Sequence, residues 1–211
     1  MTFGLISEGI TDRPPIEATI GSYFLKKFSQ ITPVINPLQP KDKNQGGWTR
    51  ILAYCSTQEF RNSFDFNDYV IIQIDTDKHE EKGFDVKKQQ DNQQLILAIQ
   101  NRIIQSIGEK FYATVKDRIL FAVSMDSIEC WFLPFYAKTN EHKSKIKSCC
   151  TTLNQYIKKL GFTIDCKKAE GSYQYYQKVS ILLSKKKAFF ASYSHNESLA
   201  YFVDIELAKI K

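Results

Sequence analysis

Residues 3–7 (FGLIS) open the chain with a short apolar run that Gly9 breaks, the pattern of a buried strand. Thr11 and Asp12 then precede Pro14 and Pro15, a capping side chain followed by early prolines, which predicts a helix start. Ile16, Ile20, Phe24 and Phe28 recur at four-residue spacing and carry that helix to about Phe28 on one apolar face. Residues 33–38 predict a second strand, and 39–47 (QPKDKNQGG) a polar loop. A second helix is expected from Trp48 to about Asn62, with Ile51, Leu52, Cys55 and Phe60 inward. The clearest strand is 69–74 (YVIIQI), nearly all apolar, as a strand covered on both faces should be. Residues 78–92 are charged and aperiodic and predict a loop. A third helix follows over 92–107, a fourth strand over 118–123 (RILFAV) and a helix over 127–136. Beyond 138 the pattern is helical, over 141–160, 173–184 and 196–209.

Strands alternating with helices predict an α/β fold with a mostly parallel central sheet and helices on both faces. We expect residues 1–137 to form that α/β domain, and 138–211 a helical, lysine-rich extension packed on it. Right-handed crossovers bring the carboxyl ends of all the strands to one edge, where ligand chemistry gathers in such sheets.

Composition narrows the class. Hydrophobic residues make up 43% and charged residues 25%, ordinary for a globular protein. No apolar run approaches the roughly 18–20 residues of a membrane helix. The first 15 residues have neither a basic leader nor a cleavage-type site, so a cytoplasmic protein without a signal peptide is expected. The five cysteines are odd in number, two are adjacent, and none are spaced C-x-x-C, which argues against both a zinc site and a disulfide framework. His79, His142 and His195 are scattered without ligand spacing.

The strong strands end in acids. Glu8 ends the first, Asp75 and Asp77 end the third, and Asp126 lies just past the fourth. Residues 75 and 77 share a direction if the backbone stays extended. Carboxylates converging on one edge repel, and a hard divalent cation, Mg²⁺ or Mn²⁺, resolves the repulsion. Several of these acids also have simpler readings. Asp12 suits a helix N-cap, Asp77 an ordinary loop acid, and Glu129 a capping-box partner of Asp126. Charge is unevenly spread: residues 138–187 hold 12 basic and 3 acidic residues. That stretch suits a polyanionic partner, although a solvated lysine face explains it too.

S-E-G-I-T-D at the end of the first strand, I-D-T-D at the third and I-E-C-W at 128–131 together resemble the TOPRIM domain. The likeness covers about residues 3–135 and is nearest to the small TOPRIM-like proteins of bacterial defence operons and to the overcoming-lysogenization-defect nucleases. It implies that Glu8 is the signature glutamate and that Asp75 and Asp77 hold Mg²⁺. By position, Asp12, Asp126 and Glu129 become candidates for a second ion or for catalysis. The nuclease branch also uses a C-terminal lysine, for which Lys185, Lys186 and Lys187 are candidates as nucleic-acid contacts. The resemblance further implies a nuclease acting in anti-phage defence under a separate ATPase subunit, since the chain has no Walker A motif, and leaves room for a homo-oligomer. A non-catalytic nucleic-acid or nucleotide-binding module is the alternative, with nucleotidyl transfer a weaker third. Tyr173, Tyr175 and Tyr176 could stack on bases, or serve in the core.

Overall fold

In the computed structural model, which describes residues 1–29, 32–40, 46–167 and 171–211, four strands form one parallel sheet. They are β1 (Thr2–Ile6), β2 (Val34–Gln39), β3 (Tyr69–Asp75) and β4 (Ile119–Ser124), in the order β2-β1-β3-β4. The expected α/β class therefore holds. Residues 41–45 of the expected polar loop lie outside the described residues.

Helix α1 (Arg13–Lys27) joins β1 to β2. From β2 the chain steps back over β1 to β3 through α2 (Trp48–Cys55) and α3 (Gln58–Asn62). Helices α4 (Asn92–Ile107) and α5 (Glu109–Val115) lead on to β4. The crossovers run in opposite directions from β1, and a fixed hand then puts their helices on opposite faces. Alternation along the strands agrees. Phe3, Leu5, Ile71 and Leu120 pack with Ile16, Ile20 and Phe24 of α1. Ile6, Val70, Ile72 and Phe121 pack with α2 and α4 on the other face.

The C-terminal helices are α6 (Leu133–Tyr136), α7 (Asn140–Lys143), α8 (Cys149–Ile157), α9 (Tyr173–Ser180), α10 (Lys186–Ser192) and α11 (Glu197–Tyr201). Leu153, Tyr176, Phe189, Leu199 and Phe202 from this half join α1 in a single core on the first face. Helices expected to be long are broken. The 48–62 helix stops because the Ser56 and Thr57 hydroxyls donate back to the carbonyls of Ala53 and Tyr54, and Thr57 then caps α3. The 196–209 helix loosens into a π-turn over Phe202–Glu206.

That turn delivers a buried carboxylate to the edge strand. Glu206 Oε2 accepts from the Phe121 amide of β4 at 3.0 Å and from Lys209 Nζ at 2.6 Å, while Oε1 accepts from Gln100 Nε2 at 3.2 Å. An edge amide that would otherwise be open to another chain is thus satisfied from within.

The cysteine expectation needs correction. Cys130 pairs with Cys149 and Cys150 with Cys166, leaving Cys55 buried in the core as the free thiol among the described residues. Adjacent positions on a helix project about 100° apart, so Cys149 and Cys150 at the start of α8 reach different partners. An odd count here means two pairs and one core residue.

Two outcomes are expected. Glu206→Ala should cost roughly 3 kcal/mol in urea unfolding, because it strands a buried amide and a buried side-chain amide. Peptide mapping without reductant should recover the 130–149 and 150–166 cross-linked peptides; four alkylated thiols in their place would disprove the pairing.

Candidate acidic site at the strand ends

The strand order reverses between β1 and β3, and Glu8 and Asp75 meet at the carboxyl ends of those two neighbours. A third residue holds them together. Gln73, fully buried, is the polar side chain within an otherwise apolar strand. Its Oε1 accepts from the Glu8 amide at 2.9 Å, and its Nε2 donates to Asp75 Oδ1 at 2.9 Å. The Asp75 amide donates to Glu8 Oε2 at 3.0 Å. These bonds close a ring through Glu8, Gln73 and Asp75. Ser124 is the register partner of Asp75 on β4. Its hydroxyl is buried with no hydrogen-bond partner among the described residues.

The turn after β1 is fixed by Asp12 and by a glycine pair. Asp12 is fully buried, and its Oδ2 accepts from the Gly9 amide at 2.7 Å. It precedes α1 but makes no capping bond to that helix. The N-cap reading is thereby corrected: the carboxylate reaches back and shapes residues 9–12. Gly47 donates its amide to the Glu8 carbonyl at 2.8 Å. At Gly46 a β-carbon would lie 2.6 Å from that same carbonyl oxygen, so the approach requires glycine.

Asp77 and Asp126 form a second group. The Thr76 amide donates to the Ser124 carbonyl, and the Asp126 amide donates to Thr76 Oγ1 at 2.8 Å. The Asp77 amide donates to the Asp126 carbonyl at 3.1 Å. These bonds continue the β3–β4 pairing past the strand ends. The chain turns at once, His79 donating its amide to the Thr76 carbonyl, so the extended geometry expected to align residues 75 and 77 is not kept. Asp75 is 5% exposed beside Gln73, whereas Asp77 is exposed and lines a cleft of about 480 Å³ walled by α4. Asp126 borders the same cleft in a left-handed conformation (φ 61°), which Asp tolerates better than most residues. Burial pushes its carboxyl above the usual aspartate range. The Ser148 amide and the Lys147 ammonium pull it down, and Glu129 adds to the rise.

The remaining candidates are dispersed. Glu129 is buried, and its Oε1 accepts from the Tyr176 hydroxyl. Tyr176 is itself fully buried against Phe132 and presents no open face to a base, while Tyr175 stacks one face on Phe162. Lys185, Lys186 and Lys187 are exposed at the start of α10. The preceding Leu183 carbonyl accepts from Ser22, nine residues into α1 and therefore about 13 Å along it from the acidic edge. Those lysines flank the distal half of α1 rather than the strand ends. Cations that do lie by the acids are Lys147, Lys88 and Lys78, of which the last two stand in the 78–92 segment. That segment is anchored rather than loose: Phe84 is buried beneath the Trp48 ring, and Arg102 donates to the Phe84 and Gly83 carbonyls.

Among the described residues, no three His, Cys, Asp or Glu side chains gather closely enough to hold a metal ion. The expected convergence of Glu8, Asp75 and Asp77 thus reduces to a Glu8–Asp75 pair, with Asp77 beside Asp126. The donor chemistry still fits Mg²⁺ or Mn²⁺: Mg²⁺ commonly takes one or two carboxylates and fills its sphere with water and phosphate oxygens. Gln73 and Ser124 escaped the sequence reading. A lone amide two residues before Asp75 on the same strand face was the available signal for the first.

No family model matches the chain, and no curated protein or solved structure matches it either.

A pH effect follows from Asp126. A carboxyl raised in the folded state costs stability as pH climbs from the unfolded toward the folded pKa, and the cost is full above both. Asp126→Asn should therefore melt slightly higher than wild type at neutral pH, with the advantage vanishing below the ordinary aspartate range. The gain is small because the group is half exposed. Melting curves across pH 3–8 would test it, and a gain confined to low pH would contradict it.

Proposed function

We propose that the chain is a divalent-metal-dependent nuclease hydrolysing phosphodiester bonds in nucleic acid. The observation that carries this reading is the Glu8–Gln73–Asp75 ring at the point where the strand order reverses, with the orphaned Ser124 hydroxyl beside it. Carboxylates held in place by hydrogen bonds, Asp75 by the Gln73 side chain and Glu8 by the Asp75 amide, suit a preorganised cation site. Glu8 and Asp75 would hold Mg²⁺ or Mn²⁺, which when bound polarises a phosphoryl oxygen and lowers the pKa of water. In this reading Gln73 aims the Asp75 carboxylate and pins the Glu8 backbone, while the Asp75 amide holds the Glu8 carboxylate. Asp12 and the Gly46–Gly47 pair fix the backbone of the turn. Lys147 and Lys78 offset phosphate charge at the edge.

The TOPRIM resemblance supports the same reaction. Resemblance alone supports two further points: a role in defence, and control by a separate ATPase. The paired cysteines sit uneasily with a reducing compartment. No helix among the described residues is long and apolar enough to cross a membrane.

A second reading has its own observation. Glu8 Oε2 is spent on the Asp75 amide, and no three-acid group is gathered among the described residues. A binding module without catalysis would look like this.

The two readings separate on one experiment. With Mg²⁺ or Mn²⁺, wild type should nick a mixed DNA and RNA substrate set. Glu8→Gln and Asp75→Asn should lose at least about 100-fold, the scale of a lost catalytic group. Gln73→Leu should lose less, and higher metal concentration should partly restore it. Equal activity of wild type and Asp75→Asn would refute the nuclease reading and favour the binding module.

A further inference from the structure

The cleft beside Asp77 and Asp126, at about 480 Å³, falls within the roughly 300–1,000 Å³ of small-ligand pockets. Its apolar lining comes from Leu95 of α4, Met125 just past β4, and Ile146 ahead of α8. Gln89 and Gln90 supply amides at the rim. The lining also bears Asp77, Glu80, Asp91 and Asp126 against Lys88 and Lys147, so its charge balance is negative.

This balance decides what the cleft accepts. Like charges at close range repel strongly at a partly desolvated edge, so a phosphate does not settle among these carboxylates unaided. A flat neutral ring carrying amino hydrogens meets no such penalty. Its faces lie on the apolar lining, and its N–H groups donate to carboxylate and amide oxygens, as cytosine and adenine amino groups do. The strand attached to that ring then runs outward past Lys78. This exposed side chain pairs with Glu81 at 3.0 Å and stands next in sequence to Asp77 of the cleft.

We infer that the cleft binds a single unstacked nucleobase bearing an exocyclic amino group, and hence that the strand presented to the Glu8–Asp75 pair is single-stranded or locally unpaired. The inference rests on the nuclease reading for the fate of that strand, while base binding stands apart from it. Taking a base out of its stack costs a few kcal/mol in a duplex and far less in a single strand, which sets the preference.

Adenosine 5′-monophosphate, uridine 5′-monophosphate and ribose 5-phosphate are the probes, titrated calorimetrically into the whole protein without divalent metal. Adenosine monophosphate should bind, uridine monophosphate more weakly, and ribose 5-phosphate not measurably. Ile146→Trp fills the cleft and should weaken adenosine monophosphate at least about tenfold. Gln90→Trp, on the exposed rim, should do the same without touching the core. Glu8→Gln should leave the affinity within about twofold. Equal binding of ribose 5-phosphate, or full affinity in both tryptophan variants, overturns the base site. Failures of the two proposals are distinguishable. Glu8-dependent cleavage without nucleotide binding removes the base site alone, and nucleotide binding with Glu8-independent cleavage removes the nuclease reading alone.

Discussion

Gln73 spends both ends of its amide on the two residues that matter most at the strand ends: its oxygen on the Glu8 amide, its nitrogen on the Asp75 carboxylate. A polar side chain at the centre of a sheet is costly unless fully bonded. Here both the oxygen and the nitrogen are bonded, and this also solves a second problem. Asp75 carries a carboxylate into a nearly dry position, where it needs donors. The position of the ring follows from topology. β1 and β3 are neighbours although β2 intervenes in sequence, and the chain departs from their ends in opposite directions. The space so opened is where side chains from two separate loops can meet.

The C-terminal half reads as an electrostatic feature in sequence and as a packing feature in structure. Its apolar residues cover one sheet face together with α1, and Trp131 stacks on Phe202 while donating to Ser198 Oγ. Glu206 then satisfies an amide of the β4 edge. Lys147, next to the α8 start, is brought to the acids, whereas Lys185, Lys186 and Lys187 are exposed at the start of α10. A net charge summed over 50 residues could not distinguish a positioned cation from an exposed one, because charge counts carry no direction.

What was legible follows the range of the interactions involved. The four strands and α4 were visible because each is set by local apolar periodicity. Glu8 and Asp75 were visible because a parallel sheet brings strand ends together whatever the loops do. The orientation of Asp77 was not, since Thr76 turns the chain through bonds to residues 79, 124 and 126. Glu129 became a site candidate through the I-E-C-W resemblance, yet the Tyr176 hydroxyl it accepts from lies 47 residues away. The cysteine pairs and the π-turn that carries Glu206 share this character: each is decided by contacts that local sequence does not encode.

The two groups of acids are best understood as consequences of one backbone device. Past their strands, β3 and β4 stay joined through Thr76, Asp77 and Asp126, with Asp126 in a left-handed turn. That clasp forces successive acids apart: Asp75 stays with the strand face that packs on α1, while Asp77 leaves it for the cleft by α4. If all three had remained on one side, their mutual repulsion would have required a bound cation merely to fold. Divided, they allow the chain to fold with the Glu8 and Asp75 carboxylates hydrogen-bonded. Under the proposed reading, cation binding would then be completed by a phosphodiester whose base occupies the cleft and whose phosphate supplies the oxygens that two carboxylates leave to other ligands.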